Sequence, residues 1–147
     1  MSARVWLVDD HEVVRRGVAD MLNDEPDLEV VGESGSVAEA LAYVPTESPD
    51  VVVVDVRLPD GNGIELIRSV SAKKPDCDIM VVTVFGDEQH VVSSIEAGAT
   101  GYILKDSTPA DVISCIRLLR AGGSPVSPVV ARSVLRDRKS TRLNSSH

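Results

Sequence analysis

Aromatic side chains make up only 3% of the 147 residues, so Trp6 and Phe85 read as packing or surface groups, not as a platform for stacking bases. Cysteine is scarce too. Cys77 and Cys115 lie far apart and match no metal or redox spacing, which points to buried or half-buried thiols in a reducing compartment. No apolar run approaches the roughly 18 residues of a membrane span, and the opening MSARVWLVDD lacks the basic, apolar and cleavable succession of a secretion signal. A cytoplasmic chain is expected. Basic residues are in deficit, 15 Lys and Arg against 23 Asp and Glu, and an acidic surface repels nucleic acid. What is present in quantity is hydrophobic side chain, 43% of the total, enough for the core of one domain of this length.

The segment DRKSTRLNSSH, residues 137–147, is polar, basic and without apolar period. It resembles the translation of a widely used sequencing-library adapter, and so large a match rarely arises by chance. The segment is expected to be an artefact and is set aside with its three basic residues and one acidic residue, which moves the net charge from −8 to −10. The natural chain is then expected to have continued past Arg136.

Before that tail, short β-branched runs alternate with helical periods. Strands are predicted at 5–8, 28–31, 51–54, 79–82 and 102–104. Between and after them Val14/Val18/Met21/Leu22, Val37/Leu41/Val44, Ile64/Ile67/Val70, Val92/Ile95/Ala99 and Val112/Ile116/Leu119 recur at helical spacing. Capping-box spacing marks two helix starts, Ser36 with Glu39 and Asn62 with Glu65; Thr108 before Pro109 marks a third. Gly98 and Gly122 mark helix ends. Strict alternation implies a parallel sheet covered by helices on both faces, and strands buried on both sides read as unbroken apolar runs such as VVVV at 51–54.

In open sheets of this kind ligands gather beyond the carboxyl ends of the strands, where the strand order reverses. The residues at those ends carry the chemistry: Asp9 and Asp10 after the first strand, Asp55 after the third, Thr83 after the fourth and Lys105 after the fifth. Three carboxylates at one rim repel unless a cation joins them. Oxygen donors with few protein positions suit Mg²⁺, which keeps room for phosphate oxygens. A carboxylate can attack phosphorus to give an aspartyl-phosphate, and Asp55 is the best placed of the three. Lys105 would donate a charge-assisted bond to a phosphoryl oxygen, and the Thr83 hydroxyl could donate to another. Taken singly, a Thr in a turn, a solvated Lys or an Asp pair capping a helix is ordinary. At one edge of one sheet they form a set. His11, a lone His at a helix start, reads as neither phosphohistidine nor metal ligand.

The motifs VDDHEVV, VVVVDVRLPDGNG, MVVTVFGDE and GYILKDS together resemble the receiver domain of two-component response regulators over residues 3 to about 122. That resemblance implies a flavodoxin-like (βα)5 fold and a phosphoacceptor Asp55 served by a sensor histidine kinase. It also implies Mg²⁺ held by Asp10, Asp55 and the Arg57 backbone carbonyl, with Asp9 acting mainly through metal-bound water. Thr83 and Tyr102 are similar to the family's switch pair, the aromatic ring turning inward behind the threonine, and the output face would be the fourth and fifth helices with the fifth strand. VDDHEVVRRGV and LLRAGGSPVSPVVARSVL resemble the NarL/FixJ subgroup, whose members carry a LuxR-type helix-turn-helix. The implied division is a receiver at 1–122, the start of an interdomain linker at 123–136 and the artefact at 137–147, with DNA contacted only through an absent C-terminal domain and a homodimer formed on phosphorylation. Lys105 is followed by Asp106 where the commonest pattern has proline, and Val84 is bulkier than the usual small residue.

Two rivals remain open. A Mg²⁺-dependent phosphohydrolase working through an aspartyl intermediate would place its nucleophile after the first strand with a second Asp two residues on, a spacing Asp9-Asp10-His11 lacks. A stand-alone, chemotaxis-like receiver would have no DNA-binding domain. The expected protein is a switch and not a metabolic enzyme.

Overall fold

The computed structural model of the chain describes residues 2–84 and 86–122. Five parallel strands, β1 (Ala3–Val8), β2 (Leu28–Ser34), β3 (Val51–Asp55), β4 (Asp78–Thr83) and β5 (Gly101–Leu104), form one sheet in the order β2-β1-β3-β4-β5. Five helices alternate with them: α1 (Glu12–Asn23), α2 (Val37–Glu47), α3 (Ile64–Lys73), α4 (Glu88–Ala97) and α5 (Pro109–Arg120). This is the expected flavodoxin-like (βα)5 architecture, and every predicted strand lies inside an observed one. A short antiparallel ribbon, Arg57–Leu58 with Gly61–Asn62, folds the segment after β3. The proposed linker and artefact, and Phe85, fall outside the described residues.

The four valines of β3 serve two cores at once. Val51 and Val53 pack with Leu22, Ile113 and Ile116 on the α1 and α5 face, while Val52 and Val54 pack with Val44, Leu66 and Ile67 on the other. None is more than 6% exposed, and each such burial stabilises the fold by about 1.5–3 kcal/mol. The helix faces agree less closely. In α1, Val14 and Met21 are exposed, and Ala19 and Leu22 are the buried pair; Val14 and Val18 instead line an open groove toward the β5–α5 connection. In α4 the buried residues are Val91, Ser94 and Ala97; Val91 and Ser94 stand one position before the expected Val92 and Ile95, and Ala97 two before Ala99. Ser94 can occupy the core because its hydroxyl donates to the His90 carbonyl at 2.7 Å.

Two helix starts form as the spacing predicts. Ser36 Oγ accepts the Glu39 N–H, and Thr108 and Asp111 cap each other reciprocally with Pro109 at the first position. The Asn62/Glu65 start is corrected: α3 begins at Ile64, capped at Gly63 without a side-chain bond. Tertiary contact is the reason. The Gly63 N–H donates to the Val56 carbonyl at 2.6 Å, and a Cβ there would stand 2.9 Å from the Asp55 carbonyl oxygen. The α2 start gains a second, non-local cap, since the Asp60 carboxylate accepts the N–H groups of Ala38 at 3.0 Å and Val37 at 2.9 Å; these bonds hold the Asp60 carboxyl below its ordinary value. Gly98 and Gly122 end their helices with φ of 121° and 90°, the left-handed region glycine favours.

Both thiols are free; burial pushes the Cys77 thiol up to about 12, and Cys115 is raised for the same reason. The one tryptophan is a core group, as expected. Trp6 is 5% exposed and its indole N–H donates to Ser34 Oγ at 2.8 Å. Its ring lies over Gly32, at a point where the β1–β2 register shifts by one residue. A Cβ on Gly32 would come within 2.1 Å of that ring. Gly32→Ala is therefore expected to destabilise the domain by about 1–3 kcal/mol, read as a lower urea midpoint with unchanged slope.

Candidate functional site

Sheet topology decides where the polar residues meet. From β1 the chain turns outward to β2, and from β3 it proceeds the other way to β4 and β5, so the crevice between the carboxyl ends of β1 and β3 is the point of reversal. Asp9 and Asp10 follow β1 and Asp55 ends β3. With four buried valines behind it, the Asp55 carboxylate cannot swing into bulk water, and the residue is 3% exposed.

Such a buried charge needs partners. Asp55 Oδ1 accepts the Arg57 backbone N–H at 3.0 Å, and Oδ2 accepts from Lys105 Nζ at 2.9 Å. The lysine is delivered by an extension of the sheet, its N–H donating to the Thr83 carbonyl at 2.7 Å. Partial burial of Lys105 would lower its pKa, but the bond to Asp55 and the charges of Asp55, Asp9 and Asp10 outweigh it and hold the ammonium above its ordinary 10.5. A group raised on folding contributes stability that is complete below its unfolded value and lost as pH rises through the folded one. Lys105 is therefore expected to titrate above its ordinary 10.5 when followed by side-chain NMR.

Asp9 and Asp10 approach the same point. Asp9, Asp10, His11 and Asp55 each offer a ligand atom, all within 4.8 Å of one another. The His11 ring, set aside on sequence grounds, lies with Nδ1 3.2 Å from Asp9 and 3.1 Å from Asp10. Arg15 fixes the backbone here, donating to the Asp9 carbonyl while its Nε bonds Glu33 at 3.0 Å. Hard oxygen donors gathered from adjacent strands, with one cation already drawn in, fit Mg²⁺.

The remaining residues are at the rim but engaged otherwise. Thr83, 3% exposed, ends β4 one residue beyond the Val82 that pairs with Asp55; its hydroxyl lies 3.5 Å from the Val84 carbonyl. Tyr102 is already turned in, 4% exposed, with its hydroxyl donating to the Ala99 carbonyl at 3.1 Å. Val84 is 39% exposed. No peptide bond among the described residues is cis, including that between Lys105 and Asp106. Arg57 keeps its backbone beside Asp55 while its side chain leaves the pocket for Asp87, Nε to Oδ2 at 3.2 Å. Asp87 is also bonded by His90. Sequence reasoning missed Asp87, His90 and Asp60. Asp87 looks like an ordinary helix cap, and its partner is 30 positions away.

The sequence pattern of the response regulator receiver domain matches residues 5–117. The chain belongs to that family. This receiver is 50% identical over 121 residues to the DNA-binding transcriptional activator DevR/DosR of Mycobacterium tuberculosis, covering 82% of this chain and 56% of the relative. It is 32% identical to the nitrate/nitrite response regulator protein NarL of Escherichia coli, covering 95% and 66%. The crystal structure of a LuxR-family two-component response regulator from Aurantimonas sp. SI85-9A1 superimposes with a TM-score of 0.85 at 33% identity, over 94% of this chain and 99% of that one. The receiver thus spans little more than half the length of the first of these relatives, and it is homologous to transcriptional regulators of two-component systems. No helix among the described residues is long and apolar enough to cross a membrane.

Proposed function

We propose that Asp55 is the phosphoacceptor of this receiver. The observation that carries the reading is a buried carboxylate at the end of β3, bonded to Lys105 at 2.9 Å and clustered with two further acids. Asp9, Asp10, Asp55 and the Arg57 carbonyl would hold Mg²⁺, which when bound supplies positive charge to the phosphoryl oxygens. The Asp55 carboxylate oxygen forms the new bond to phosphorus; the bond from phosphorus to the kinase histidine breaks, and the released imidazole nitrogen takes up a proton from solvent. Lys105 passes from Asp55 to a phosphoryl oxygen, and the Thr83 hydroxyl donates to another. With Thr83 drawn toward the phosphoryl group, the contacts around Tyr102 and α4 select the second of two states.

In the whole protein this domain serves as a cytoplasmic switch. A sensor histidine kinase supplies the phosphate, the phosphorylated form pairs as a homodimer, and DNA is reached only through a C-terminal helix-turn-helix following the linker that starts after residue 122. The 1–122 receiver turns over its own phosphate but no metabolic substrate. Incubation with acetyl phosphate and Mg²⁺ is expected to add one hydroxylamine-labile phosphoryl group, and a chelator in excess should reduce uptake to background. Undiminished uptake without the metal, or repeated turnover of small phosphate esters, would contradict the proposal.

A further inference from the structure

The Arg57 side chain starts next to the acid cluster, because its own N–H is bonded to Asp55 at 3.0 Å. Three carboxylates stand there against Lys105, and a guanidinium matches carboxylate geometry better than any other side chain. Within reach of that cluster, Arg57 is nonetheless paired with Asp87, at 3.2 Å. Asp87 is the fixed member of the pair: its side chain is 8% exposed against 64% for Arg57.

A second observation sets Asp87 apart. It occupies the N-cap position of α4 yet makes no side-chain cap bond, although such a bond is worth about 1 kcal/mol to a helix. Its oxygens are turned elsewhere, Oδ1 to His90 Nδ1 and Oδ2 to Arg57 Nε. Burial alone would raise the Asp87 carboxyl, but the bonds from His90 and Arg57 prevail and hold it below its ordinary range.

We propose that Asp87 is a positioning residue which, by holding the Arg57 guanidinium against the first turn of α4, keeps that cation out of the acid cluster and leaves the cluster open to a divalent ion. The inference rests on the metal reading of Asp9, Asp10 and Asp55 given above. Released from Asp87, Arg57 competes for the same oxygens.

The test is calorimetric titration of the unphosphorylated chain with MgCl₂ at fixed ionic strength, in a cycle of Asp87→Asn, Arg57→Gln and the double variant. Arg57→Gln retains the backbone carbonyl. Competition predicts that Asp87→Asn weakens Mg²⁺ binding about three- to tenfold when Arg57 is present, and less than about twofold in the Arg57→Gln background. Equal weakening in both backgrounds would mean that only the lost charge acts through space, and no weakening in either would mean that Asp87 has no part; each overturns the inference. A wild-type chain that takes up no Mg²⁺ overturns the underlying metal reading instead.

Discussion

Asp55→Asn is expected to abolish phosphoryl uptake from acetyl phosphate in the presence of Mg²⁺ while the fold survives. The amide is nearly isosteric and its oxygen can still accept the Arg57 N–H that Asp55 Oδ1 accepts at 3.0 Å. What disappears is the negative charge, and with it the nucleophile and the anchor for Lys105 at 2.9 Å. Neither Asp9 nor Asp10 can take over, since both follow β1 and lack the Lys105 bond. Loss of a nucleophile from an arranged site typically lowers the rate by roughly 10⁴-fold or more. Intact-mass measurement over time decides the matter, and labelling at the wild-type rate would assign the acceptor elsewhere.

Lys105→Ala has the next largest expected effect, and it separates uptake of phosphate from its consequence. Removing the ammonium leaves a carboxylate whose side chain is 4% exposed facing two other acids with no fixed cation. Mg²⁺ should bind at least as tightly, because the internal competitor has gone. Uptake should nevertheless slow by about 10²-fold, the usual loss when one donor to a developing oxyanion is removed. The phosphorylated variant should also fail to switch, since Lys105 is joined through its N–H to the Thr83 carbonyl and thereby couples the phosphoryl group to the ends of β4 and β5. Amide shifts of α4 and Tyr102 on phosphorylation are the readout. Shifts of wild-type size in the variant would remove Lys105 from the coupling.

Most of the fold was legible because its signals are local or periodic. A run such as Val51–Val54 is intelligible only between two helical layers, and Thr108-Pro109 with Asp111 contains an entire helix start within four residues. The rim was legible for a different reason: once the strands are placed, topology carries their ends to one crevice without further information. Part of what escaped depended on partners distant in the chain. The α3 start shifted to Gly63 because the Asp55 carbonyl passes too close for any side chain there. The second α2 cap comes from Asp60, more than 20 positions away. In α4 a serine took a core position that hydrophobicity assigns to its neighbours. His11 was discounted as a lone histidine, yet the turn after β1 sets its ring against both acids.

The alternation of Val51 to Val54 between opposite faces carries a consequence for how the domain comes apart. Because one strand is shared by both apolar layers, neither layer can melt while the other persists, and unfolding should be all-or-none. Asp55 is the terminal residue of that strand. The reactive carboxylate is thus mounted on the least separable part of the molecule, so its alignment is kept for as long as the domain is folded and is lost everywhere at once.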